Sequence, residues 1–156
     1  MDHLEGGVVL KNITNLDFCK RIIDLTNKKA KNKLKTISGL DIDERNVKGY
    51  GLDFKTPTNM FYWNYIKVEI ERWFILYKTK FPKMESTKIN QIDLLKYDVG
   101  GKYRVHTDHS TITPRSLSVI INLNNEYEGG DLVFTDQKNQ EIKRLKLEKG
   151  TMVFFP

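Results

Sequence analysis

Within "YRVHTDHS", residues 103–110, a histidine and an aspartate stand two apart. On a strand, positions i and i+2 share a face, so His106 and Asp108 would aim an imidazole and a carboxylate at one point. Such a pair can take two cis positions on a metal ion, grip a polar substrate, or close a surface His–Asp hydrogen bond. With 3 His and 11 Asp in 156 residues, about 0.2 such pairs arise by chance, so the two residues alone do not choose. In the metal reading, a second histidine from a distant strand would complete a 2-His-1-carboxylate facial triad. That set leaves three positions open and suits non-haem Fe(II) oxygen chemistry, whereas zinc prefers a tetrahedral set richer in nitrogen or sulfur. His109 alternates away from Asp108, and His3 lies close to the N-terminus. Neither is a good third donor.

The elements around the pair must hold it in place. Residues 89–99, 102–108, 116–124, 130–136, 140–147 and 150–156 read as successive strands, separated by turn signals such as "GG" at 100–101 and "NNEYEGG" at 124–130. Short strands at this spacing indicate an antiparallel jelly roll. The first half is mixed. "GGVVLKNI" (6–13) and "VKGYGLDF" (47–54) have strand character, and "TNLDFCKRIIDLTNKKA" (14–30) has helical spacing, with Thr14 and Asp17 as its expected capping pair. Residues 58–81 read as the longest helix, halted by Pro82, with Phe61, Ile66, Ile70, Trp73 and Phe74 as a core stripe. The expected fold is therefore α+β, with helices bracing a jelly roll. The terminal "GTMVFFP" is apolar, and an incomplete jelly roll would expose its edges, so more chain, or a partner strand, is expected beyond Pro156.

A chain of 156 residues suits one domain, and no stretch reaches the apolar length of a membrane span. The N-terminus "MDHLEGGVVL" is not a signal peptide. Cys19 is the single cysteine, which excludes an internal disulfide; on the apolar side of a helix it reads as a buried thiol. These features give a reducing, cytoplasmic setting. Of the net charge of +6, residues 1–80 carry +5, much of it in "KKAKNKLK" (28–35). That run is either a docking patch for nucleic acid or an acidic partner, or a solvated helix end where lysines favour the C-terminal dipole.

"LLKYDVGGKYRVHTDHS", then "RSLSVIINLNNEYEGGDLVF", then "LEKGTMVFFP" resemble the prolyl 4-hydroxylase-like branch of the 2-oxoglutarate- and Fe(II)-dependent oxygenases, the phage and bacterial type, over roughly residues 89–156. The resemblance implies a double-stranded β-helix, another name for this jelly roll, with its last two strands missing. It makes His106 and Asp108 iron ligands and Tyr97 a hydrogen-bonding partner of 2-oxoglutarate. Asn122 stands where relatives often place a tyrosine that reaches the cosubstrate. Tyr103 and Arg115 match positions near the pocket mouth, toward substrate, or its support, with loop anchoring as the alternative for Arg115. The distal histidine and the basic residue for 2-oxoglutarate would follow Pro156. The implied cofactors are Fe(II), 2-oxoglutarate and O2, with ascorbate as an optional reductant.

The implied reaction is hydroxylation of an amino-acid side chain, most plausibly proline, in a peptide or protein. Two alternatives stay open: an oxygenase acting on a nucleic-acid base or small molecule, and a non-catalytic jelly-roll binding module. The segments 41–51 and 109–116 are candidate lids.

Overall fold

The computed structural model describes residues 6–36, 39–84, 88–109, 111 and 114–156. Its elements run β1 (Val8–Leu10), α1 (Leu16–Lys29), β2 (Asn32–Lys33), β3 (Arg45–Asn46), β4 (Lys48–Gly51), α2 (Pro57–Lys80), β5 (Asp93–Lys96), β6 (Lys102–Tyr103), β7 (Ser118–Ile121), β8 (Leu132–Thr135), β9 (Glu141–Leu145) and β10 (Met152–Phe155). All pairings are antiparallel and form four small sheets: β1-β10-β7, β2-β4-β5, β3-β6 and β8-β9. The mixed helix and strand content agrees with the expected α+β class. Continuous double-stranded β-helix sheets are not formed among the described residues.

Strand β10 organises one core. Its run Met-Val-Phe-Phe is apolar without alternation, the pattern of a strand covered on both faces. Met152 and Phe154 face Val8 and Tyr77, with Trp73 and Phe74 of α2 packed alongside. Val153 lies with Val9 and Leu145, against Leu132 and Phe134 of the β8–β9 hairpin. The order is thus α2, then β1-β10-β7, then the hairpin. Both edges of β10 are occupied, by β1 (Val9 opposite Val153) and by β7 (Ile120 opposite Val153). The exposed edge expected for "GTMVFFP" is therefore absent: the N-terminal strand, far away in sequence, covers it.

A second core joins α1, α2 and the β4–β5 ladder through Phe18, Cys19, Ile22, Leu25, Leu52, Trp63, Ile66, Ile92 and Leu94. Cys19 is buried, and its Sγ lies 3.3 Å from Thr14 Oγ1. Thr14 is thereby committed to the interior and does not cap α1. Asn15 does so instead, its side chain accepting from the Phe18 amide at 2.7 Å, while Asp17 pairs with Arg21. Helix α2 starts one residue before the expected position, with Thr56 as N-cap and Pro57 in its first turn.

Phe61 is not core but 57% exposed. The buried α2 face runs through Asn59, Trp63, Ile66 and Tyr77, and a residue two away from positions 59 and 63 lies roughly 200° around the helix. No helix among the described residues is long and apolar enough to cross a membrane.

Candidate functional site

The site begins with the Gly-Gly turn. Gly100 has φ +74°, and a Cβ on Gly101 would lie 2.7 Å from the Asp98 carbonyl oxygen and 3.1 Å from Tyr97 Cβ. Only a residue without Cβ fits so close to main chain. The Gly101 amide donates to the Asp98 carbonyl at 2.7 Å, and the Asn46 amide group donates to the Gly100 carbonyl at 3.3 Å. This turn carries the chain from β5 into β6 and keeps Tyr97 near Tyr103. Segment 41–51, an expected lid, is tied down here: Arg45 and Asn46 pair with Tyr103 and Lys102, and residues 48–51 pair with β5.

Strand β6 ends at Tyr103, so His106 and Asp108 do not lie on the strand expected over 102–108. Their convergence has a different cause. His106 Nδ1 lies 2.7 Å from the Arg104 carbonyl oxygen; a carbonyl only accepts, so Nδ1 carries a hydrogen. That turns Nε2 toward Asp108, with Nε2 to Oδ1 at 3.2 Å. The other carboxylate oxygen, Oδ2, accepts from Ser118 Oγ on β7 at 2.5 Å, and Arg115 Nη1 stands 3.7 Å from Oδ1. Without a metal, the pair forms an imidazole–carboxylate bridge that is an ion pair when the imidazole is protonated. Bonding to Asp108 raises the His106 pKa against the opposing effect of burial, and the Arg104 carbonyl adds to the rise. In turn, the bond from His106, supported by Ser118 and Arg115, holds Asp108 down to about 2.

The donor set suits a divalent cation in two of its positions. With Nδ1 committed to a backbone carbonyl, the Nε2 lone pair and Asp108 Oδ1 present adjacent donors, the arrangement that second-shell contacts give to metal-binding histidines. Among the described residues, no group of three or more His, Cys, Asp or Glu side chains comes together. His109 is not a third donor: its Nδ1 lies 2.9 Å from the Arg115 carbonyl oxygen and 3.3 Å from the Arg115 amide, bracketing the loop between them. His3 lies outside the described residues, as do residues 110, 112 and 113 of the second expected lid.

Three further expected residues gather here. The Tyr103 ring stacks on His106, with centroids 3.6 Å apart and planes at 18°. Tyr97 keeps half its surface in solvent, yet its hydroxyl is crowded: loss of water raises its pKa, Arg45 opposes this, and Tyr103 and Asp108 add to the rise. Arg115 also donates to Gln91 Oε1 at 3.1 Å. Asn122 is used differently. Its Nδ2 donates to the carbonyls of Asn124, Leu147 and Glu148, and its Oδ1 accepts from the Tyr127 hydroxyl. Nδ2 thus ties the end of β7 to the loop before β10, and Oδ1 ties it to the loop before β8.

Three contributors were not read from the sequence: Ser118, the Arg104 carbonyl and Arg45, whose guanidinium carbon lies 4.5 Å over the Tyr103 ring. Ser118 and Arg45 are distant in sequence from the motif they touch, and a main-chain carbonyl has no side-chain signature.

Residues 92–156 match the model of the 2OG-Fe(II) oxygenase superfamily. No curated protein matches the chain. Among solved structures, it is similar to a Pseudomonas putida prolyl-4-hydroxylase, with a TM-score of 0.69 at 16% identity, over 96% of this chain and 80% of that one.

Proposed function

We propose that the chain, whose residues 92–156 match the 2OG-Fe(II) oxygenase superfamily, is such an oxygenase and hydroxylates an amino-acid side chain, prolyl before others, in a peptide or protein. The family implies Fe(II), 2-oxoglutarate and O2 as the reacting partners. The observation that carries the reading is the 3.2 Å approach of His106 Nε2 and Asp108 Oδ1 with Nδ1 already committed to Arg104. The prolyl preference is supported by the structural likeness to a prolyl-4-hydroxylase.

In this reading His106 and Asp108 hold the iron, which supplies the oxidising power when bound with 2-oxoglutarate and O2. The chain supplies position and proton control. Ser118 and Arg115 fix the Asp108 carboxylate from two sides, and the Tyr103 ring covers one face of the imidazole and keeps water from it. The Tyr97 hydroxyl, protonated at neutral pH as tyrosines ordinarily are, would donate a hydrogen bond to an anionic cosubstrate. Arg115 and Tyr103 lie on the side where substrate enters.

The test is Fe(II)-dependent release of succinate from 2-oxoglutarate, with mass analysis of proline-containing peptides for one added oxygen atom. Both signals are expected to vanish in His106→Ala and Asp108→Ala. Unchanged turnover in either variant would sink the assignment. Oxygen added to a nucleobase in place of a peptide would favour the alternative substrate class. The lysines of 28–35 are mostly exposed at the end of α1 and on β2, and DNA or RNA binding that falls steeply with salt would give them that role.

A further inference from the structure

We propose that Arg45 binds the carboxylate of an acidic side chain beside the reacting residue in a substrate peptide, at the mouth of the His106–Asp108 site. The inference rests on the oxygenase reading of that site. It draws on a residue outside the segment matched to the family, since Arg45 precedes residue 92.

Three observations carry it. The first is position. Arg45 on β3 is the ladder partner of Tyr103 on β6, so the two side chains share a face. The guanidinium carbon lies 4.5 Å over the Tyr103 ring, and that ring stacks on His106 at 3.6 Å. The second is charge. Nearby acids already have cations: Asp43 with Lys102 at 3.9 Å, Glu44 with Arg104 at 3.6 Å, and Asp98 with Lys48 at 2.7 Å. Among the described residues, no carboxylate pairs with Arg45; its Nη1 reaches only the Lys35 carbonyl oxygen, at 3.3 Å. The third is an orphaned atom. Arg45 Nε is buried and has no hydrogen-bond partner, although buried donors are nearly always satisfied. A guanidinium held against a ring, with unused donors in a fixed fork, is matched by the two oxygens of a carboxylate.

The test compares the whole chain with Arg45→Met, which keeps the packing on Tyr103, and Arg45→Lys, which keeps the charge. Mn(II) affinity is measured first by calorimetry. The Mn(II)-loaded proteins are then titrated with 2-oxoglutarate, with 2-oxobutanoate (the same chelating end without the second carboxylate), and with acetyl-Ala-Pro-Glu-amide and acetyl-Ala-Pro-Gln-amide.

The expected result is unchanged Mn(II) affinity in Arg45→Met with a loss of about tenfold or more for the Glu peptide and none for the Gln peptide. Arg45→Lys recovers part of it. Loss for 2-oxoglutarate but not 2-oxobutanoate, with the Glu peptide unaffected, overturns the proposal. Unchanged affinities for all four ligands overturn the proposal. So does a parallel loss of Mn(II), which would make Arg45 a support for Tyr103 and His106 only. Wild-type protein that binds no Mn(II) overturns the oxygenase reading itself, and that control separates the two failures.

Discussion

At the scale of the residue, the His106–Asp108 bridge has a definite pH behaviour. The His106 pKa is raised, so its share of the stabilisation is complete below the ordinary histidine value and is lost as pH rises through the raised one. The Asp108 pKa is depressed to about 2, so its share is present above the ordinary carboxylate range and is lost as pH falls through about 2. In metal-free protein, the Tm gap between wild type and Asp108→Asn is therefore widest near about pH 5 and shrinks on the alkaline side of histidine titration. A gap that widens toward pH 8 would contradict the bridge. The same proton must leave before a cation binds, so Mn(II) affinity rises about tenfold per pH unit until His106 is neutral. Ser118→Ala removes the donor to Asp108 Oδ2 and is expected to weaken Mn(II) binding about 10–100-fold, the usual effect of losing such an outer contact.

At the scale of the element, the turn at 100–101 matters most, because it sets the approach of β5 and β6. Gly101→Ala brings a methyl group within 2.7 Å of the Asp98 carbonyl oxygen; relieving it costs about 1–3 kcal/mol. Chemical denaturation reads that loss, and Mn(II) affinity falls with it because Tyr103 shifts against His106. The start of α1 offers a control far from the site. Asn15→Ala removes the cap on the Phe18 amide and is expected to cost about 1 kcal/mol with Mn(II) binding intact. Equal stability of Thr14→Val and wild type would agree with Thr14 being a packing residue and not the cap.

At the scale of the whole molecule, stability concentrates in the layers around β10. Phe154 is fully buried between β10 and α2, and Phe154→Ala is expected to cost about 3–5 kcal/mol in a denaturant titration. Phe61→Ala, on the exposed side of α2, is expected to stay within about 0.5 kcal/mol. A large loss at Phe61 would mean that this face is covered in solution. The pairing of β1 with β10 joins the two ends of the described chain, so the cooperativity of unfolding depends on contacts that are among the most distant in sequence.

The family likeness was legible in short range. "GGKY" and the apolar "MVFF" carry their meaning in residue type and spacing, because positive φ and two-sided burial are local demands. Both helices and most strands followed from periodicity for the same reason, but the two-residue β2 and β3 did not. What the tertiary structure decided is everything that depends on contact across the chain: that a backbone carbonyl, not strand alternation, aims His106; that Ser118 anchors Asp108; that Asn122 serves a loop; and that β1 closes the edge of β10. Arg45 is the sharpest case. In sequence it is one cation in a charged stretch, and only the ladder to Tyr103 sets its guanidinium over the ring beside His106, because side chains opposite each other on paired strands must share a face.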